Sequence, residues 1–128
     1  MNPNHPGPYA KPVRKPKVHA GMSRESDRNK ARREVRKSVR QQQLAFYPYC
    51  EVRAAKGPWK CWGGLTLHHV WTLARGGPDD LRNSRTVCGE HNRGLSQDAE
   101  CMRWAYANGF LVHADDGPAW LAAGGVQR

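Results

Sequence analysis

The sequence predicts a small α+β domain, built on a β-hairpin with helices on both sides and extended at its N-terminal end by a basic helical arm. Alternating apolar and polar residues just before a glycine-rich turn indicate the hairpin. Capping and stop signals indicate the flanking helices, and the positive charge is concentrated before residue 46. Because the region after Phe46 can bury only a small core, we expect a staple such as a bound metal ion.

Residues 1–22 are predicted to form an extended, mobile basic tail. They contain five of the nine prolines and no periodic apolar pattern, so they cannot form a core. The formal net charge of the chain is +10, and residues 1–45 hold 12 Lys and Arg against 3 Asp and Glu. This distribution indicates a polyanionic partner that binds the N-terminal region.

Residues 23–46 are predicted to form a basic helix. Ala31, Val35, Val39 and Phe46 fall on or near one apolar stripe that is expected to dock on the domain. The cations that cover the remaining surface are Arg28, Lys30, Arg32, Arg33, Arg36, Lys37 and Arg40. An ordinary solvated face is the alternative, but this charge density favours contact with nucleic acid. Because the stripe is built from small or β-branched residues, a membrane-surface role is the weaker alternative.

The hairpin is predicted from two short segments. Leu65–Val70 and Arg85–Cys88 are the strands, and residues 76–80 supply Gly, Pro and Asp for the connection. Gly89–Leu95 begins a helix. His68 and His69 would then face Asn92 across a small cleft that can hold one divalent cation. The plainer alternative is that the histidines are strand residues with no joint task.

The four cysteines indicate metal ligation, because the chain shows no secretory signal that would favour disulfides. Cys88 and His91 have zinc-knuckle spacing, whereas ten residues separate Cys50 from Cys61. A turn at residues 56–58 would bring the pairs together in one structural zinc site. The alternatives are that some cysteines are small core residues, or that Cys101 replaces His91 as the fourth ligand.

Residues 47–114 are interpreted as the domain and residues 115–128 as a C-terminal tail. Ser96 is expected to cap a helix from about Gln97 to Asn108, with Gly109 as its stop signal and an extended segment at residues 110–113. Tryptophans are expected to supply much of the buried bulk of so small a domain, namely Trp59, Trp62, Trp71 and Trp120.

The ordered motif residues of this region resemble those of the HNH endonucleases of the ββα-metal superfamily. The resemblance covers roughly residues 50–95 and rests on Cys50, Cys61, His68, His69, Gly76, Gly77, Asp80, Asn83, Cys88, His91 and Asn92. Two departures are Asn92 in place of the last His of the family pattern and His91 in place of a second Cys. Asn at the last position also occurs in the junction-resolving branch of the family.

The resemblance implies a small ββα-metal domain and a role for each motif residue. His68 and Asn92 would hold a catalytic Mg²⁺ or another divalent cation, His69 would be the general base, and Asn83 would brace the loop. A nearby Asp79 or Asp80 could add a carboxylate ligand. The expected activity is hydrolysis of DNA phosphodiester bonds, with His69 activating water.

The expected partner is DNA, contacted mostly through its phosphates. The residues predicted to bind it are Arg28, Arg32, Arg33, Arg36, Lys37, Arg40, Arg75 and Arg93. The alternatives are a zinc-stapled DNA-binding or packaging-accessory protein without cleavage activity, and a nuclease that acts on RNA. No apolar run is long enough for a membrane span, so the chain is interpreted as intracellular. The resemblance further suggests a phage or mobile-element origin. A phage origin would place the protein in the host cytoplasm, with phage packaging machinery as a partner.

Overall fold

The computed structural model describes residues 22–128 and has an α+β fold. A two-stranded antiparallel sheet lies between a long N-terminal helix and a group of shorter helices. The bounds are α1 Met22–Phe46, α2 Glu51–Ala54, β1 Leu65–His69, β2 Ser84–Cys88, α3 Gly89–Gln97, α4 Ala99–Ala107 and α5 Gly117–Ala122. The predicted tail lies outside the described residues, except for Met22. No helix in the described part of the chain is both long and apolar enough to cross a membrane.

The hairpin confirms both predicted strands to within one residue. Leu65 lies opposite Cys88 and His69 lies opposite Ser84. All five residues of β2 are buried, because α1, α2 and α3 all contact this strand. The sheet is therefore covered by helices at β2, and the histidine pair lies at the end of β1.

The connection between the strands depends on Gly77. A Cβ atom at this position would lie 1.8 Å from the carbonyl oxygen of Trp71, so a larger residue would displace the backbone. Gly76 has a φ of 96° and ends a short 3-10 turn, a conformation that glycine adopts without strain. The two glycines let the connection fold back tightly against the end of β1.

The cap of α4 differs from the prediction. Ser96 lies inside α3, and Asp98 is the N-cap residue, because its carboxylate accepts a hydrogen bond of 2.8 Å from the backbone N–H of Cys101. Gly109 ends the helix with a φ of 76°, as predicted. The following segment is extended, and the backbone N–H of Val112 donates to Val70.

The predicted docking stripe of α1 is wrong. Val35 is 51 % exposed and Phe46 is 68 % exposed, so these residues do not anchor the helix. Gln43 is fully buried instead and donates to Glu51 Oε2 and to Thr86 Oγ1, each at 3.2 Å. Before Gln43, Val39 is the one residue of α1 with described burial that is even partly buried, so the helix packs on the domain through its C-terminal part.

Residues 115–128, interpreted as a tail, contain α5 and return to the sheet. Gly117 packs closely on the Trp71 ring, and the backbone N–H of Val126 donates to Arg82 at 2.7 Å. The Arg128 guanidinium donates to both carboxylate oxygens of Glu51. Glu51 is buried and also accepts from Arg85 and from the backbone N–H of Thr86, so one carboxylate joins the C-terminal segment to α2 and β2.

The core is aliphatic and aromatic around α3 and α4. Its buried members include Val52, Val87, Leu95, Cys101, Ala105, Phe110 and Leu111. The tryptophans contribute unevenly, since Trp104 packs on Phe110 with ring centroids 4.9 Å apart whereas Trp62 is 79 % exposed. The prediction that Trp62 supplies buried bulk is therefore wrong.

Candidate metal centre and the adjoining cleft

Cys50, Cys61, Cys88 and His91 form a compact group. Their potential ligand atoms all lie within 4.8 Å of one another. The Nδ1 atom of His91 is 3.4 Å from the sulfur of Cys50, 3.5 Å from that of Cys61 and 3.1 Å from that of Cys88. The predicted ligand set thus comes together across chain separations of up to 41 residues, and it can bind a metal ion such as zinc.

The group fits a tetrahedral zinc site closely. With Zn–S of about 2.3 Å and Zn–N of about 2.0 Å, a tetrahedral site places sulfur and nitrogen about 3.5 Å apart. The three observed separations from Nδ1, 3.1 to 3.5 Å, approach this value. Cys101 is also buried but does not belong to the group.

The tautomer of His91 suits metal ligation through Nδ1. Its Nε2 atom lies 2.7 Å from the carbonyl oxygen of Pro58 and 3.2 Å from that of Trp59. A carbonyl can only accept, so Nε2 carries the proton and Nδ1 presents a lone pair to the sulfurs. The segment predicted to turn at residues 56–58 therefore also helps to orient the His91 ring, through the carbonyl of Pro58.

The thiols cannot all ionise together without a cation. Burial, reinforced by the neighbouring Cys50 and Cys88, raises the pKa of Cys61 to about 12. Burial opposes ionisation of Cys88 as well, but the backbone N–H of His91 and other hydrogen bonds outweigh it and lower its pKa to about 7. Cys88 therefore ionises more readily than Cys61, and a bound cation would favour all the thiolates by neutralising their mutual repulsion.

A second site lies at the end of β1, where His68, His69 and Asn92 line one cleft. The cleft has a volume of about 460 Å³, and Arg75, Thr72 and Tyr106 also contribute to its walls. Adjacent residues of an ideal strand point to opposite faces. Both histidines nevertheless border this cleft because β1 ends at His69 and the chain then turns into the connection.

His68 is buried and held by one strong contact. Its Nε2 atom lies 2.6 Å from the carbonyl oxygen of Phe110, so Nε2 is the donor and Nδ1 keeps a lone pair. Burial lowers the pKa of His68 to about 4, against the opposing effect of this carbonyl. The side chain is therefore neutral at pH 7, as ligation of a cation requires.

His69 makes a different contact. Its Nε2 atom lies 2.8 Å from Oδ1 of Asp79, and Nε of Arg36 lies 3.4 Å from the same oxygen. If Nε2 is the donor, Nδ1 is left as a proton acceptor. The Asp79 carboxylate thus contacts both His69 and Arg36 of the basic helix.

Asn83 braces the connection between the strands. Its Oδ1 atom accepts from the backbone N–H of Trp71 at 2.7 Å, and Nδ2 donates to the carbonyls of Trp71 at 2.8 Å and Pro78 at 2.9 Å. The side chain is fully buried. These three bonds hold the backbone next to His69 in place.

The predicted cationic residues lie at the surface. Arg36 pairs with Asp79, Arg75 approaches the Tyr106 hydroxyl at 3.5 Å, and Arg93 pairs with Glu90. The exposed cations of α1 include Lys30 and the six predicted DNA-binding residues Arg28, Arg32, Arg33, Arg36, Lys37 and Arg40. Arg75 and Asn92 border the cleft, whereas Arg93 follows Asn92 on α3.

Three contributors to these sites carried no usable signal in the sequence. The carbonyls of Pro58 and Phe110 orient His91 and His68, and a backbone carbonyl is present at every position. The sequence suggests Asp79 only as a potential metal ligand, whereas in the structure its carboxylate forms a hydrogen bond with His69. A carboxylate ten residues after a histidine indicates a contact only once the loop geometry is known.

Comparisons of the chain with protein-family models, with curated proteins and with solved structures each find no match. The chemistry of the two sites is therefore the basis on which a function can be assigned.

Proposed function

We propose that the protein is a divalent-metal-dependent endonuclease of the HNH type that hydrolyses DNA phosphodiester bonds. The observation that carries the proposal is the cleft shared by His68, His69 and Asn92 at the end of a β-hairpin. The helix that supplies Asn92 follows the hairpin directly, and the Asn83 brace adjoins the same histidines. This order of strand, braced loop, strand and helix is the order that the resemblance implies.

In this proposal His69 is the general base. Its Nε2–H donates to Asp79, which leaves Nδ1 as the atom that takes a proton from the attacking water. A neutral imidazole with a free ring nitrogen suits this step. Arg75, at the edge of the cleft, would bind a phosphate of the substrate as a charged donor.

His68 through Nδ1 and Asn92 through its amide oxygen would hold the catalytic cation. Such an ion, when bound, neutralises charge that develops on the phosphate and the leaving oxygen. No carboxylate is present among the described residues that line the cleft. An imidazole and an amide suit Mn²⁺, Ni²⁺ or Zn²⁺ better than Mg²⁺, which prefers oxygen ligands.

The Cys50, Cys61, Cys88 and His91 group would bind a structural zinc ion. Three sulfurs and a nitrogen fill a tetrahedral shell and leave no open position for substrate. The zinc would tie α2 and the residues before β1 to the start of α3, and thus fix the helix that carries Asn92.

The exposed cations of α1 would bind the phosphates of DNA. Over residues 28–40 of this helix, seven cations are accompanied by one acidic residue, Glu34. Such contacts provide affinity without reading a sequence. Arg36 lies at the point where this helix approaches Asp79, so bound DNA would pass close to the cleft.

The test is cleavage of supercoiled plasmid by the purified protein with Mg²⁺, Mn²⁺ or Ni²⁺, beside His69→Ala and His68→Ala. We expect nicked or linear product from the wild type. We expect His69→Ala to lose about 10²-fold to 10⁴-fold in rate at an unchanged metal requirement, whereas His68→Ala also needs more metal. Absence of cleavage with every ion, or wild-type cleavage by His69→Ala, would refute the assignment.

The absence of a carboxylate from the described lining of the cleft also favours a second candidate, a zinc-stapled DNA-binding or packaging-accessory protein without cleavage activity. Such a protein would bind plasmid with the same salt dependence and leave it intact. A labelled RNA in the same assay separates an RNA-directed nuclease from both.

A further inference from the structure

An exposed aromatic and basic surface lies directly beside the Cys50, Cys61, Cys88 and His91 group. Trp62 is 79 % exposed and Tyr49 is 49 % exposed. Tyr49 and Arg53 line a shallow cleft of about 510 Å³ together with Cys61 and Gly63, the two neighbours of Trp62 in the chain. We call Tyr49, Arg53, Lys60 and Trp62 the Trp62 surface.

The loop that carries Trp62 is held rigidly by its backbone. The carbonyl of Trp62 accepts from the N–H of Glu90, and that of Gly64 accepts from the N–H of Gly89, each at 3.0 Å. The carbonyls of Pro58 and Trp59 face Nε2 of His91. Every one of these contacts uses main-chain oxygen, so the indole of Trp62 is left to project into solvent.

The loop also stores backbone strain. Lys56 and Trp59 have φ values of 55° and 71°, which non-glycine residues rarely adopt and which cost on the order of 1–3 kcal/mol each. The Trp59 ring packs on Gly94, where a Cβ would lie 2.6 Å away. The Trp59 ring thus has one face against α3 although the residue is 38 % exposed, whereas Trp62 is 79 % exposed.

The electrostatic character of this surface favours an anionic partner. No acidic residue occurs between Glu51 and Asp79, whereas Arg53, Lys56 and Lys60 are exposed. The carboxylate of Glu51 is buried and bound to arginines, and that of Glu90 pairs with Arg93. No unpaired carboxylate of these neighbours would repel a phosphate chain.

We propose that the Trp62 surface binds single-stranded DNA, with an unpaired base stacked on the Trp62 indole and the flanking phosphates bound by Arg53 and Lys60. Exposed aromatic rings next to cations suit single strands, because an unpaired base offers its face whereas bases within a duplex are stacked on each other. The inference rests on the proposed nucleic-acid partner. It adds a preference for junctions, flaps or other substrates with unpaired bases.

The test is binding of a labelled single strand of about 12 nucleotides, a length within the usual site size, and of the matching duplex, without added divalent metal. Trp62→Ala should weaken single-strand binding about 5-fold to 100-fold and leave duplex binding unchanged. Phe46→Ala is the matched control, because Phe46 is also highly exposed but borders a different cleft. Trp62→Ala binding equal to wild type, or an equal loss on duplex, would overturn the inference.

A fluorescence titration with Trp62→Phe gives a second readout. Stacking quenches indole emission, so the single strand should quench the wild type and lose most of this quenching in Trp62→Phe. Equal quenching of both proteins by the single strand contradicts the inference. So does a Trp62 fluorescence that changes only when a protein partner is added. Neither measurement involves cleavage, so a failure of the nuclease proposal on plasmid is distinguishable from a failure here.

Discussion

The Nε2 atom of His69 lies 2.8 Å from Oδ1 of Asp79, and the same oxygen is 3.4 Å from Nε of Arg36. This carboxylate connects the proposed general base with the basic helix. Both side chains of the His69–Asp79 pair are mostly buried, so their contact orients the imidazole instead of fluctuating in solvent.

We expect Asp79→Asn to slow plasmid cleavage about 10-fold to 100-fold, because loss of a carboxylate that orients a functional histidine usually has an effect of this size. Asp80→Asn is the matched control. Asp80 lies next in the chain but caps the 3-10 turn through the backbone N–H of Arg82, which an asparagine can also do. Equal rates for the two variants, measured at equal zinc content, would contradict a positioning role for Asp79.

Removal of zinc should unfold the domain and not merely inactivate it. The core is small, and the binding free energy of a structural zinc is part of the folding free energy. Circular dichroism with increasing chelator should show a cooperative loss of helix, and elemental analysis should give about one zinc per chain. Cys88→Ser should lose the metal, whereas Cys101→Ser, a buried thiol outside the group, should retain it. A folded, metal-free protein that resists chelators would refute this expectation.

Charge reversal on α1 should weaken DNA binding and reduce its dependence on salt. Arg32→Glu, Arg33→Glu and Arg40→Glu together should lower the slope of log K against log salt by about one per lost phosphate contact. Deletion of residues 1–45 is a poorer test, because it removes the buried Gln43 anchor. Arg103→Glu, an exposed change on α4, is the control for Arg32→Glu alone, because each of these single changes lowers the net charge by the same amount. An unchanged slope in the triple variant would show that α1 does not bind DNA.

The buried His68 should make stability depend on pH. Its pKa in the folded protein is about 4 and about 6.5 in an unfolded chain, so the unfolded state binds more protons between these values. Stability is therefore lost as the pH falls through this window, by about 2 kcal/mol between pH 7 and pH 5. Urea unfolding of His68→Gln should lack this component, whereas His113→Gln, an exposed histidine, should retain it. Equal pH dependence in wild type and His68→Gln would contradict it.

Short-range signals in the sequence were sufficient for the strands, the helix after Cys88 and the four potential zinc ligands. Alternation over residues 65–70 and the glycine pair specify the hairpin, because strand faces and turn conformations are local properties. The Cys88 and His91 spacing places two ligands on one helical turn. Cys50 and Cys61 were predicted to complete the group. In the structure their sulfur atoms do lie close to the atoms of Cys88 and His91 that could bind a metal ion.

Only the tertiary structure decided how α1 docks, what the C-terminal segment contacts and which tryptophan is exposed. Gln43 replaced the apolar stripe because Glu51 and Thr86 offered it partners 8 and 43 residues away. Arg128 reaches Glu51 across 77 residues, and Trp62 stays in solvent because only its backbone is bound. These outcomes depend on hydrogen bonds between distant residues. Their geometry exists only after the chain has folded, so no local pattern of apolar residues can encode it.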